Sequence, residues 1–251
     1  MFDLTGDVAV VTGGGGGLGR QFALALARQG AKVALLGRRQ EKLDAVAKEI
    51  EAIGSEAYPI STDVTKPEAI LAAREKIVER YGKVDILVNN AGGGACFPLL
   101  EMADEEWRKV LALDLDGSFY CLKHFGQLMV DKGYGRIINI ASILGKGGLK
   151  EIPVIAYASA KGGVINMTRQ AAIEFATKGV TVNAICPGFF ESEANDPEAM
   201  KAMNDFIVDR TAMCRAGQAG ELDSSVVFLA AHESSYVTAT ILTCDGGWTA
   251  V

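Results

Sequence analysis

Apolar positions along the chain fall into short unbroken runs separated by stretches of helical period. Residues 8–11 (Val8, Ala9, Val10, Val11) are such a run and read as a strand buried on both faces. The run passes directly into Thr12 and five glycines, Gly13 to Gly17, then Leu18, Gly19 and Arg20. A helical pattern with Phe22, Leu24, Leu26 and Ala27 follows and stops at Gly30. A second apolar run at 33–36 leads into a helix carrying Leu43, Val46, Ala47 and Ile50, closed by Gly54. The alternation continues with a weak strand at 58–60 and a helix from Pro67 to about Gly82. A strand at 84–88 stops at Asn89, Asn90, Ala91 and Gly92, and one long helix is predicted from Asp104 to about Met129. A strand at 136–140, a helix through Tyr157 and Lys161 to about Thr177, and a strand at 180–185 come next. A looser region over 187–220, a helix over 221–231 and a strand at 240–243 end the chain. Strands alternating with helices predict an α/β fold, a Rossmann-like doubly wound parallel sheet in three layers. With no linker or short repeat, residues 1–251 read as a single domain.

Composition narrows the class. With 49% hydrophobic residues and 29 glycines, the chain fits a globular, turn-rich protein. A net charge of −6, without a basic stripe, argues against a general nucleic-acid binder. No apolar run approaches the ~18 residues of a membrane span, and the N-terminus lacks the pattern of a signal peptide. The five cysteines have no CxxC spacing, and neither His124 nor His232 has a partner at ligand spacing. No metal site is expected, and the cysteine usage fits a reducing, cytoplasmic compartment.

The candidate chemistry begins at the glycine run. A strand, glycine loop, helix and strand within ~30 residues form a dinucleotide-binding βαβ unit. The loop reads Thr12-Gly13-x-x-x-Gly17-x-Gly19, and Gly14, Gly16 and Gly19 also satisfy GxGxxG, so five glycines match any single pattern cheaply. A plain tight turn explains the run as well; the flanking unit favours a pyrophosphate on the helix N-terminus. After the second strand stand Arg38 and Arg39, with no acid before Glu41. Basic residues there suit the 2′-phosphate of NADP(H), whereas an acid would select NAD(H). They also fit a solvated start to the next helix, and NAD(H) stays open. Tyr157 and Lys161, four apart, share one helix face. A phenol beside an ammonium is a proton donor and acceptor suited to reversible carbonyl–alcohol chemistry, although such a pair alone is more often an exposed one.

These residues together resemble the short-chain dehydrogenase/reductase family nearly end to end, most of all its gluconate 5-dehydrogenase-like members. The matching stretches are the glycine loop, Asp63-Val64, Asn89-Asn90-Ala91-Gly92, Ser142, Tyr157-x-x-x-Lys161, Pro187-Gly188 and Asp245-Gly246-Gly247. The resemblance implies that Gly13, Gly17, Leu18 and Gly19 hold the cofactor phosphates and that Asp63, with Val64, holds the adenine. Asn90 would support the ribose side or the central strand. Ser142 would polarise a carbonyl, Tyr157 would be the acid/base, and Lys161 would bind the nicotinamide ribose and tune Tyr157. Residues after Pro187 and Gly188 would flank the nicotinamide. One position departs: Asp114 stands where such families carry an asparagine that helps a proton relay to the lysine. Asp114 is expected to serve in that relay; ionised and near Lys161 it would stabilise the ammonium and offset its pull on Tyr157, and a helix aspartate that simply caps or is solvated is the alternative.

Specificity is expected from residues 143–156, with Lys146, Lys150 and Glu151, and from a lid region over about 189–215. The latter carries Phe189, Phe190, Glu191, Glu193 and an apolar stripe of Met200, Met203, Phe206 and Ile207. The stripe reads either as a lid or as a face packed on the body. A sugar acid, with Lys146 or Lys150 as carboxylate partner, is ranked first. The apolar stripe and the two glutamates favour a bulkier ketone of hydroxysteroid or 3-oxoacyl type. A non-catalytic dinucleotide-binding module is the remaining alternative. The resemblance also implies a homotetramer.

Overall fold

The computed structural model describes residues 2–190 and 197–250, side chains of 197–202 excepted. The expected positions Glu191 and Glu193, and the side chain of Met200, lie outside the described residues. In chain order the regular elements are β1 (Val8–Thr12), α1 (Gly17–Arg28), β2 (Lys32–Gly37), α2 (Gln40–Ala52), β3 (Ala57–Ser61) and α3 (Pro67–Tyr81). Then come β4 (Ile86–Asn89), α4 (Asp104–Leu111), α5 (Gly117–Lys132), β5 (Gly135–Ile140) and α6 (Ile155–Phe175). The remainder is β6 (Val180–Pro187), α7 (Pro197–Arg210), α8 (Asp223–Ala230) and β7 (Ile241–Cys244).

The seven strands form one sheet in the order β3-β2-β1-β4-β5-β6-β7. Every pairing is parallel. A parallel strand must cover both faces, and the alternation within each run does this. Ala9, Val11, Val33, Leu35, Ile86 and Val88 face a core shared with Phe22 and Leu26 of α1 and Val226 of α8. Val8, Val10, Ala34, Leu36 and Leu87 face the opposite core, shared with Ile77 of α3 and Phe125 of α5. The strand order reverses between β1 and β4, and open α/β sheets open their ligand crevice at such a reversal, beyond the carboxyl ends of the strands.

Two predicted elements differ for a local reason, and the amphipathic helix expected in the loose region is present. Strand β4 starts at Ile86 instead of Val84, because the Asp85 carboxylate takes the Val8 N–H (2.8 Å) and pairs with Lys83 and Lys132. The predicted 104–129 helix is interrupted by a π-helical turn over Ala112–Asp116, where the Gly117 N–H bonds the Ala112 carbonyl. The loose region contains α7, whose Ile207 is buried and whose Phe206 ring meets Phe189 and Trp248. Of the two readings of that stripe, packing on the body holds for Ile207, and Phe206 reaches the cleft only through Phe189.

A buried polar chain ties α6 to the sheet. The Asn89 amide donates to Asn139 (2.8 Å), Asn139 donates to the Thr168 hydroxyl (2.9 Å), and Thr168 donates to the Val164 carbonyl (2.8 Å). Buried amides left without an acceptor cost far more than the net value of the bonds they make. Thr168→Val nearly keeps the shape and orphans the Asn139 amide. We expect it to lower the unfolding free energy by about 1–3 kcal/mol, seen as a lower urea midpoint at constant slope. An unchanged midpoint would show that the chain of bonds does not anchor α6.

Candidate active site

At the carboxyl edge of the sheet the loops after six strands surround one cleft of about 750 Å³. Gly13, Gly17 and Leu18 come from the loop after β1, Arg38 and Arg39 follow β2, and Asp63 and Val64 follow β3. Asn90 follows β4, Ser142 follows β5, and Pro187 and Gly188 end β6. Asp114, Tyr157 and Lys161 reach the same cleft from the π-helical turn and α6. Of the expected site residues only Gly19 stands off the wall, buried in the first turn of α1.

The glycine loop is built for close backbone approach. Gly13 has φ +66°, and a Cβ there would sit 2.8 Å from the Asn90 amide nitrogen. The loop delivers the chain to the N-terminus of α1, which has neither a side-chain cap nor an acidic residue in its first turn. Its free N–H groups and positive dipole end are thereby left to an anion. Asn90 both lines the cleft and supports the central strands. Its amide donates to the Thr12 carbonyl (3.0 Å), while Thr12 Oγ1 accepts the N–H groups of Asn90 and Ala91 (2.9 Å each). This clamp joins the ends of β1 and β4. Thr12 itself was not among the expected site residues, although its place before the first glycine was the available signal. Lys42, in the first turn of α2, was also missed; it lines the cleft beside Arg38 and Arg39.

Deeper in the cleft, Ser142 has extended backbone, and its Oγ accepts the Leu144 N–H (3.1 Å). That bond uses an acceptor lone pair and leaves the hydroxyl proton to donate to a bound oxygen. Turn cap and oxygen-binding hydroxyl are therefore compatible roles for one side chain. Lys161 is buried, and its Nζ donates to the Ile140 carbonyl (3.0 Å) and pairs with Asp114 (3.2 Å). The same Nζ lies 5.4 Å from the centroid of the Tyr157 ring, within cation–π range. Asp114, with 0% exposure, also accepts the Gly93 N–H at 3.2 Å on each oxygen. Gly92 must be glycine here, since a Cβ would stand 2.5 Å from Asp114 Oδ1. The pairing of Asp114 with Lys161 replaces the capping alternative for this residue.

Burial holds the Asp114 carboxyl above its ordinary value of 3.8, against the opposing pull of Lys161 and the Gly93 N–H. Towards the mouth, the walls are Leu144, Ile152, Val154, Phe189 and Phe190. Neither lysine expected as a carboxylate partner lines the cleft, and Lys146 is committed to Thr243 Oγ1 (2.8 Å). Among the described residues no cluster of His, Cys, Asp or Glu could hold a metal ion.

The raised Asp114 value has a signed consequence for stability. Above 3.8 the unfolded chain releases this proton before the native chain does, so the native state holds more protons and loses stability as pH rises. We expect Asp114→Asn to remove that component. The stability of wild type relative to the variant should fall as pH rises from 3.8 through the raised native value, as read by urea unfolding at a series of pH values. Parallel pH profiles for the two proteins would contradict this.

Comparison with known proteins places this geometry in a family. The short chain dehydrogenase family model matches residues 7–202. Galactitol 2-dehydrogenase (L-tagatose-forming) of Cereibacter sphaeroides is 38% identical over 254 residues, covering 99% of this chain and 97% of the relative. A 3-oxoacyl-[acyl-carrier-protein] reductase of Thermotoga maritima is 35% identical over 244 residues, 97% of this chain and 98% of its own. A gluconate 5-dehydrogenase candidate of Beutenbergia cavernae, solved with bound NADP, superposes with TM-score 0.92 at 37% identity, covering 100% of this chain and 99% of that one. The glycine loop, the cleft at the strand reversal and these full-length similarities agree: the chain belongs to the short chain dehydrogenase family of oxidoreductases.

Proposed function

We propose that the protein interconverts a secondary alcohol and its ketone using NADP(H), on a polyhydroxylated sugar acid or its keto form. The carrying observation is that Ser142, Tyr157 and Lys161 line the same cleft as the glycine loop and the α1 N-terminus. The residues present fit a dinucleotide. The uncapped α1 N-terminus suits a pyrophosphate, with Gly13, Gly17, Leu18 and Gly19 shaping the approach. Arg38 and Arg39, with Lys42, form a basic end suited to a 2′-phosphate. Asp63 and Val64 lie at that end for the adenine, and Pro187 and Gly188 lie at the other for the nicotinamide.

A bound nicotinamide supplies the hydride acceptor for oxidation and the donor for reduction. The chain's own groups handle the oxygen and its proton. The Ser142 hydroxyl donates to the substrate oxygen, and the Tyr157 phenol takes the alcohol proton in oxidation and returns it in reduction. Lys161, held by Ile140 and Asp114, keeps a positive charge over the Tyr157 ring and stabilises negative charge as it develops on the phenol. Asp114 acts as a positioning residue, because it fixes where that ammonium stands.

The sugar-acid reading is supported by the sugar-directed names of two of the relatives described above. A second reading, a bulkier apolar ketone, draws on the apolar mouth of the cleft and on the 3-oxoacyl reductase relative. Residues 1–251 are read as one domain, with Phe189 and Phe190 of the 189–215 region edging the substrate side. Free cysteines at all five positions support a reducing, cytoplasmic setting. Among the described residues no helix is long and apolar enough to cross a membrane. Phe119 on α5 and Ile173 on α6, 46% and 71% exposed, support association through these helices into a homotetramer. Light scattering should give about four times the 26.5 kDa chain mass; a monomeric mass would refute it.

The reaction is tested by following NADPH oxidation against keto sugar acids, ketoses and apolar ketones. Tyr157→Phe should lower kcat by roughly 10²–10⁴-fold. Indistinguishable wild type and variant across the panel would favour the non-catalytic binding module. In the same assay Arg38→Ser should raise KM for NADPH by about tenfold or more and move KM for NADH much less. An equal effect on both cofactors would remove the 2′-phosphate assignment.

A further inference from the structure

The charged side chains lining the cleft sit in two groups, and neither serves the mouth. Arg38, Arg39, Lys42 and Asp63 lie at the end formed by the loops after β2 and β3, and Lys161 is paired with Asp114 in the interior. Between the interior and solvent, the described walls are apolar: Leu144, Ile152, Val154 and Phe189. Among the described lining residues none offers a counter-charge to a carboxylate at the mouth, which leaves the rim to supply it.

One cation spans that rim. Arg210, at the C-terminal end of α7, pairs with Glu151 at 3.2 Å. Glu151 directly precedes the wall residue Ile152. The Arg210 guanidinium also lies 5.4 Å from the Phe206 ring and 5.9 Å from the Trp248 ring. Those two rings pack against the wall residue Phe189, with centroids 6.2 Å and 5.0 Å from it. Arg210 therefore touches the segment between Ser142 and Tyr157 on one side and the segment after β6 on the other. Both are walls of the same opening. The ion pair is open to water, with side-chain exposures of 44% for Arg210 and 34% for Glu151. Exposed pairs of this kind are weak and exchange partners readily. The guanidinium fork fits any carboxylate, and the two aromatic faces hold its plane while the partner changes.

We propose that Arg210 is the specificity-determining cation of the substrate end: it exchanges the Glu151 carboxylate for that of a polyhydroxylated acid, selecting anionic over neutral substrates. Glu151 is the built-in competitor that holds the guanidinium at the mouth when no acid is bound. This inference rests on the sugar-acid reading and names the residue that would carry it.

The test compares gluconate with galactitol, a neutral six-carbon polyol, in steady-state oxidation by wild type, R210Q and E151Q with NADP⁺. Gluconate binding to the enzyme–NADPH complex is measured separately by calorimetry. We expect R210Q to lower the gluconate-to-galactitol ratio of kcat/KM by about tenfold, chiefly through KM for gluconate, and to weaken gluconate binding equally. E151Q should move the ratio and the binding in the opposite direction, because it removes the competitor and keeps the cation. The opposite signs exclude a merely structural latch, for which both variants would shift both substrates the same way. Equal effects of R210Q on the two substrates, weaker gluconate binding in E151Q, or a wild type that does not bind gluconate would each overturn the proposal. A wild type that binds gluconate through Arg210 but oxidises neither compound would overturn the reaction reading and leave the assignment of Arg210 standing.

Discussion

A buried ammonium is the constraint around which the centre of this protein is arranged. Lys161 can stay charged away from water only if its donors are met and a counter-charge stands close. The Ile140 carbonyl meets one donor and Asp114 supplies the charge. Asp114 in turn needs its own acceptors filled, which the Gly93 N–H does, and it needs room, which the bare Cα of Gly92 leaves. The π-helical turn over Ala112–Asp116 carries this carboxylate. Four elements thus meet at one ion pair, β5, α6, the loop after β4 and the π-helical turn, and the Lys161 cation lies over the ring of Tyr157 one turn earlier on α6.

The parallel sheet supplies the frame for that meeting. With every strand running the same way, each carboxyl end opens onto the same edge, so loops distant in sequence share one cleft. The Thr12–Asn90 clamp closes the reversal between β1 and β4, and the Asn89–Asn139–Thr168 chain fastens α6. The chain to α6 is buried and the clamp partly so, and such links hold because the alternative is a donor left unmet. The buried chain holds α6, the helix of Tyr157 and Lys161, against the sheet.

Charge is distributed unevenly along the cleft, and the distribution bears on its use. The end after β2 and β3 is basic and open, the interior holds one neutralised pair, and the mouth is apolar with its cation at the rim. The aromatic group of Phe189, Phe206 and Trp248 links α7 to the C-terminal turn and forms the support for that rim. Residues on these loops are separable from the interior in sequence and in contact, so one interior can serve several kinds of substrate.

Much of this was legible in the chain itself. Unbroken apolar runs determined the strands, since a strand covered on both faces has no polar period, and the alternation with helices determined a parallel sheet. The glycine run between β1 and α1, the Tyr157–Lys161 spacing and Ser142 at a strand end determined the candidate chemistry, because each depends on local geometry. What only the tertiary structure decided were relations between residues far apart. It joined Asp114 to Lys161, tied Asn90 to Thr12 at the cleft wall, broke the long helix at a π-helical turn, and placed Lys146 and Lys150 off the cleft wall. It also brought Arg210 to Glu151, a contact across 59 positions that no local pattern signals. Local propensity acts over one or two turns of chain, whereas burial of a charge and the search for its partner act across the whole fold.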